Sequence, residues 1–404
     1  MIALCDCNSF YASSERLFRA DLYDKPIIVL SNNDGCIVSL CPKAKALGFK
    51  RGDNYFEIKD NLKGCIAFSS NYTLYNSLSE RVMSKIIENS IEFIPYSIDE
   101  AFFVPFDSNI AKLREEITKG VGIPVTITLA RTKTLAKAAS KIAKNLPSCT
   151  YTLQQEAEDE LLSNMALQNV WQIGAQTNKY LFNKGLRTAK DLKYAINTPI
   201  VKDLRLHKIC LELNGVPSHN EEERNLSFSS GLTFKESTNS FEEVLKTLTT
   251  HVHYLCDKLN KKDLLAKSLA INIFTSRFRE DYYAPFVKVE LNNPSSYIPE
   301  LSQACYEALK KCFIPAFYKG SRVFITQVVK KEDSSYSLFD TQEDIKLYKK
   351  QDTLALLAKE IRKKHGHNSL STLRSTKTDK QDITSSTLKS PSYLNNFNSL
   401  PEVF

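Results

Sequence analysis

The chain has 404 residues, 42% hydrophobic and 25% charged, with 54 Lys+Arg against 46 Asp+Glu for a formal net charge of +8. That length exceeds what one core covers, so roughly two to four domains are expected, and the charge permits a polyanionic partner without requiring one. The ten cysteines include no C-x-x-C pair, no histidine cluster has zinc spacing, and no run of ~20 apolar residues occurs, so neither a zinc knuckle nor a disulfide framework is indicated and no membrane-spanning helix is expected.

Residues 1–165 alternate short apolar runs with helix-period segments, an α/β pattern. Strands are expected at Ile2–Cys5, Ile27–Leu30, Ile37–Leu40, Cys65–Phe68, Ala101–Val104 and Val125–Leu129. Leu74, Leu78, Val82 and Ile86 recur every four residues and mark the apolar face of a helix over 72–89. Ile110, Leu113 and Ile117 mark a second helix, and Leu135, Ala138, Ala139 and Ile142 a third.

A helical texture follows, near Leu161. Val170 to Gly174 and Tyr180 to Leu186 read as two helical pieces joined by Ile173-Gly174. Two readings fit them: a helix-hairpin-helix whose backbone amides grip a DNA phosphate, or an ordinary αα-hairpin turned by its glycine. Residues 225–332 then run β-α-β-β-α-β, the split arrangement with both helices on one sheet face and the other face available for a DNA groove. Arg277, Arg279 and Lys288 offer phosphate contacts there. From 333 onward lies a tail, rich in Ser, Thr, Asn and Lys beyond His365, where little independent folding is expected. Ser390 to Tyr393 and the last four residues are docking segments or simply tail.

The chemistry concentrates in Asp6, at the end of the apolar run Ile2 to Cys5, and in Ser97-Ile98-Asp99-Glu100-Ala101. A lone Asp after a strand commonly turns the chain, and an Asp-Glu pair is commonly solvated. Three carboxylates from two strands, however, are what holding two hard divalent cations around a triphosphate requires, with the Cys7 carbonyl a natural further ligand. Phe10 and Tyr11 follow closely enough for one ring to pack against a sugar C2′ and exclude a ribose hydroxyl. Lys133, Lys137, Lys141 and Lys144 share one side of a helix, where like charges at i, i+4 are unfavourable unless a polyanion or solvent faces them.

Taken together these stretches resemble the Y-family of translesion DNA polymerases, in its UmuC-type branch. The resemblance is carried by Ala3 to Ser13, Val29 to Cys36, Phe68 to Tyr75, Tyr96 to Phe102 and Thr132 to Lys137, and covers nearly the whole chain. It implies a right-hand α/β multidomain fold: palm and fingers over 1–165, a helical thumb over 166–224, a little finger over 225–332 and a tail over 333–404. It further implies two Mg2+ ions on Asp6, Cys7, Asp99 and Glu100, these three acids being catalytic. Tyr11 becomes the steric gate beside Phe10, and Lys45 and Lys144 contact the triphosphate. Pro42 and Lys45 depart from the family, which commonly places tyrosine and arginine there, so the phosphate grip is expected to differ. Leu338 and Phe339 resemble the anchors of a sliding-clamp peptide that lacks its leading glutamine.

The implied partners are primer-template DNA, deoxynucleoside triphosphates, a UmuD-type subunit, the sliding clamp and a RecA filament, in the cytoplasm and at the nucleoid when active, with no membrane. The competing reading is a non-catalytic, clamp-tethered DNA-binding protein at stalled primer ends. Three intact crowded acids argue against it, since their mutual repulsion has no purpose in a decayed site.

Overall fold

A computed structural model of the chain describes residues 1–31, 34–201, 203–218, 228–277, 279–333, part of 341–364, 387–391 and 393. The chain divides into two compact units, Met1–Glu222 with Ser386–Phe404, and Glu223–Ser385. Among the described residues no helix is long and apolar enough to cross a membrane.

The first unit opens with β1 (Ile2–Cys7), α1 (Phe10–Leu17), β2 (Ile27–Leu30), β3 (Ile37–Leu40), α2 (Pro42–Ala46), α3 (Tyr55–Ile58) and β4 (Ile66–Ser69). It continues through α4 (Tyr72–Glu88), β5 (Ser90–Pro95), β6 (Glu100–Pro105), α5 (Ile110–Val121), β7 (Val125–Ala130), α6 (Lys133–Ala143) and β8 (Thr150–Thr152). One sheet has the order β5-β6-β1-β7-β8 and a smaller one the order β3-β2-β4. β1 is central, and its apolar run follows from burial on both faces. Ala3 and Cys5 join the core that contains Leu78, Val82, Ile86 and Ile117, while Leu4 joins a second core with Phe102, Leu135 and Ala139. The period of two thus sends alternate side chains of one strand into two cores.

Four further helices, α7 (Gln155–Ser163), α8 (Ala175–Asn183), α9 (Ala189–Tyr194) and α10 (Leu204–Leu213), extend the second core with Leu162, Leu181, Leu192 and Ile209. The expected first piece of the hairpin, Val170 to Gly174, is not helical: a single 3-10 turn at Leu167–Asn169 precedes it, Gln172 lies in the left-handed region (φ 68°) and Gly174 is the N-cap of α8.

The second unit contains β9 (Phe228–Thr238), α11 (Phe241–Lys261), β10 (Leu264–Thr275), β11 (Phe286–Ser295), α12 (Ile298–Cys312) and β12 (Tyr318–Lys330). The sheet order is β11-β10-β12-β9 with every neighbouring pair antiparallel. The strands on either side of each helix are therefore separated by one intervening strand, the split arrangement expected. Val244, Leu248 and Val252 of α11 and Leu301, Cys305 and Ala308 of α12 share a core with Leu269, Ile271, Val323 and Ile325. Alternate residues of the same strands, among them Asn272, Lys288, Arg322 and Phe324, lie partly or fully exposed.

Candidate active site

The site begins where β1 ends. Asp6 pairs in register with Glu100 of β6, and the Cys7 amide donates to the Asp99 carbonyl at 2.8 Å. Two adjacent strand ends thereby carry all three acids, Asp99 closing the loop between β5 and β6. Thr126 Oγ1 donates to Asn8 Oδ1 at 2.8 Å, and Ser9, at φ 48° and ψ 47°, turns the chain into α1. The turn places Tyr11 one residue inside that helix. Asp6, Cys7, Phe10, Tyr11, Lys45, Asp99, Glu100 and Lys144 all line one open cleft of about 690 Å³.

Each acid has a partner. Lys144 Nζ lies 2.6 Å from Asp6 Oδ1, and Lys137 Nζ is 2.7 Å from both Glu100 oxygens. Ser97 Oγ donates to Asp99 Oδ1 at 2.6 Å. Burial, with the Asp6 carboxyl beside it, pushes the Glu100 carboxyl up to about 7 although Lys137 opposes the rise. Burial also holds the Cys5 and Cys7 thiols well above their ordinary value, which leaves them protonated and unsuited to nucleophilic work.

Among the described residues no three acidic, histidine or cysteine side chains stand at metal-ligating distance. The donor set nonetheless suits hard cations, being carboxylate and carbonyl oxygen, and the Lys144 ammonium sits on Asp6 where a cation would be attracted. The lysine row of α6 accordingly turns inward in part. Lys137 serves Glu100 and lies 4.6 Å from the Tyr96 ring centroid, whereas Lys141 lines a separate cavity beside Tyr151 and Glu160.

Phe10 is buried in the core, while Tyr11 is half-buried at the cleft wall and stacks on Tyr75 with centroids 4.4 Å apart and planes 12° apart. Tyr72 meets Tyr11 edge-on at 5.8 Å. Burial, chiefly, raises the Tyr11 hydroxyl pKa, with Tyr72 and Asp99 adding and Arg51 opposing. Pro42 stands at the first position of α2, where its fixed φ suits a helix start, and Lys45 follows on the same short helix. Lys50 and Arg51, which the sequence reading missed, also line the cleft. Their only signal is the turn beside them, made by Gly52 at φ 96°.

The remaining expected residues lie elsewhere. Ile173 is buried and its amide donates to the Val170 carbonyl at 3.1 Å, whereas Gly174 is exposed at the N-cap of α8. Arg279 is held by Asp281 at 2.8 and 3.0 Å, Lys288 by Glu290 at 3.1 Å, and Arg277 is exposed. Leu338 and Phe339 lie outside the described residues.

The impB/mucB/samB family profile matches residues 5–141, and that family's C-terminal domain matches residues 226–338. Protein SamB of Salmonella typhimurium is 31% identical over 363 residues, spanning 84% of this chain and 86% of that protein. The chain belongs to the impB/mucB/samB family of UmuC-type Y-family DNA polymerases. Protein UmuC of Salmonella typhimurium is likewise 31% identical, over 365 residues covering 84% of this chain and 86% of its own. In fold, the chain is similar to a Y-family DNA polymerase chimera built on Dbh, with a TM-score of 0.67 at 18% identity over 82% of this chain and all of the other. An insertion ternary complex of Dbh DNA polymerase gives 0.55 at 19% identity, with the same coverage. The impB/mucB/samB matches cover both the acid-bearing sheet and the split β-α-β-β-α-β unit.

Proposed function

We propose that this family member extends a primer 3′ end opposite damaged template bases, as the catalytic subunit of an SOS-induced translesion polymerase. The observation that carries the reading is the convergence of Asp6, Asp99 and Glu100 with Tyr11, Lys45 and Lys144 on one cleft. In this assignment residues 1–165 are palm and fingers, 166–224 thumb, 225–332 little finger and 333–404 tail. Asp6, Asp99, Glu100 and the Cys7 carbonyl would hold two Mg2+ ions, which when bound supply activation of the primer hydroxyl and neutralisation of the departing pyrophosphate.

The protein's own groups do the positioning. Lys137 and Lys144 balance the crowded carboxylates while the site is free, and Lys144, exposed for nearly half its side chain, is able to swing from Asp6 to a triphosphate. Lys45 and Arg51 furnish further cationic charge in the same cleft, where a phosphate chain would gain from it. The Tyr11 ring, backed by Tyr75, supplies a rigid surface against C2′ that rejects a ribose hydroxyl by exclusion. Primer-template DNA would meet Gly174, Arg277, Arg279 and Lys288. A UmuD-type subunit, the sliding clamp and a RecA filament are the further partners of this reading, in the cytoplasm, and the free cysteines agree with a reducing compartment.

Primer extension on templates with and without an abasic site tests the assignment. Asp99→Ala or Glu100→Ala should lower extension by about 10³-fold or more, because charge stabilisation at the reacting centre is lost, with DNA affinity nearly unchanged. Parallel loss of extension and DNA affinity would refute the assignment of these acids to chemistry.

A further inference from the structure

After the second unit the chain returns to the first. Thr387 to Pro391 and Tyr393 lie against β4 and the helices behind the cleft. Lys389 forms a parallel bridge with Ser69, the Ser69 amide donates to the Leu388 carbonyl at 3.0 Å, and the Leu388 amide donates to Ser69 Oγ at 2.9 Å. The Thr387 amide donates to Asp34 Oδ2 at 3.1 Å. Tyr393 is 4% exposed and stacks on Phe18 with centroids 5.0 Å apart and planes 19° apart. A short edge addition and an aromatic anchor thus fasten this piece of tail at both ends.

What the segment touches leads to the cleft. Ser390 Oγ accepts from Asn71 Nδ2 at 2.9 Å, which orients that amide so that its oxygen caps α4 through the Leu74 amide. The first turn of α4 carries Tyr72 and Tyr75, the two rings that bracket Tyr11. The Tyr75 hydroxyl donates to Glu15 Oε1 at 2.6 Å, and Glu15 sits one turn after Tyr11 on α1. Glu15 is fully buried, and burial raises its pKa while Tyr75, Ser390 and Lys389 oppose the rise. The segment therefore covers a buried carboxyl and orients the residue that caps α4, and both connect to the Tyr11–Tyr75 stack.

We propose that Thr387 to Pro391, with Tyr393, form an intramolecular strap that positions Tyr11 for sugar selection. Ser390 and Tyr393 are positioning residues, acting through Asn71, Glu15 and Tyr75 and never touching the nucleotide. The proposal rests on the reading of Tyr11 as the steric gate. Without the strap, α1 and α4 lose a shared contact, and the ring that must exclude one hydroxyl gains freedom of the size that a single oxygen needs.

The test uses the full-length chain with Ser390→Ala, with the double variant Ser390→Ala and Tyr393→Ala, and with Tyr11→Ala as reference. Single-nucleotide insertion gives kcat and KM for a deoxynucleotide and for the matching ribonucleotide. The strap variants should lower the deoxy-to-ribo ratio of kcat/KM by about tenfold, mostly through easier ribonucleotide insertion, since misplacement of a positioned group is costly for discrimination. A general loss of folded protein would lower both substrates equally and leave the ratio alone. An excess of synthetic peptide spanning residues 387–393 should restore the ratio of the double variant. If Tyr11→Ala lowers the ratio and neither strap variant does, the strap is only structural and the proposal falls while the gate stands. If Tyr11→Ala leaves the ratio unchanged, the gate reading fails and takes the strap with it. Ser390→Ala, which removes one hydroxyl, keeps the comparison decisive if the double variant does not fold.

Discussion

Glu100 links the electrostatics of the cleft to a measurable pH profile. Its carboxyl is raised to about 7 by burial and by Asp6, with Lys137 pulling the other way. A raised carboxyl stabilises the free protein fully below its ordinary value of 4.5 and loses that contribution as pH rises towards 7. If Glu100 is one of the catalytic acids, as proposed, catalysis needs its ionised form, and protons and cations would compete for the same oxygens. At low magnesium the acid limb of the rate should lie near 7, and it should move downward as magnesium rises. Lys137→Ala should shift the limb upward at every magnesium concentration, and a limb indifferent to magnesium would disprove the competition. The three acids were legible in the sequence because strand ends are easily placed from an apolar run. The role of Lys137 was not, since its spacing on α6 is equally compatible with a bound polyanion, solvent and its actual partner, Glu100.

At the scale of elements, one buried carboxyl joins α10 to the first turn of α6. Glu212 on α10 is 1% exposed and accepts from the Thr134 amide at 2.9 Å, in the first turn of α6, and from the Ser218 amide at 2.8 Å. Its backbone carbonyl also accepts from Thr132 Oγ1 at 2.8 Å. An anion at a helix N-terminus is favourable in itself, and here it satisfies donors that burial would otherwise orphan. Glu212→Ala should lower the unfolding free energy by about 2–4 kcal/mol, from charged hydrogen bonds lost inside the protein. Glu212→Gln should recover part of it, and an unchanged denaturant midpoint for Glu212→Ala would mean that water replaces the carboxylate. Such a link crosses 78 residues and leaves no local signature. The same limit hid β8, which has three residues, and α7, whose apolar face is narrow, whereas α4 declared itself through four apolar positions at even spacing.

For the molecule as a whole, the question is how its modest positive charge meets DNA. On the open face of the second unit, Arg322 lies 5.1 Å from the Phe274 ring centroid and pairs in register with Gly231. A Cβ at Gly231 would come within 2.4 Å of Arg322 Cγ, so this glycine makes room for the arginine stem. Beside Arg277, Arg279 and Lys288, the candidates from sequence, the strand register adds Arg322 as a further candidate for DNA, because an isolated arginine within an apolar strand reveals its face only once the register is known. Arg279 and Lys288 already hold carboxylates, so a phosphate must compete with Asp281 and Glu290 for them. Arg322, cushioned on an aromatic ring, forms no ion pair among the described residues and should contribute more per residue. Arg322→Ala should weaken duplex binding severalfold irrespective of sequence and reduce the slope of log affinity against log salt by about 0.9, the value for one phosphate contact. Arg279→Ala should change the slope less, since its loss also frees Asp281. Equal slopes for Arg322→Ala and the unaltered chain would remove this face from the DNA path, leaving the hairpin at Gly174 as the remaining phosphate contact to test.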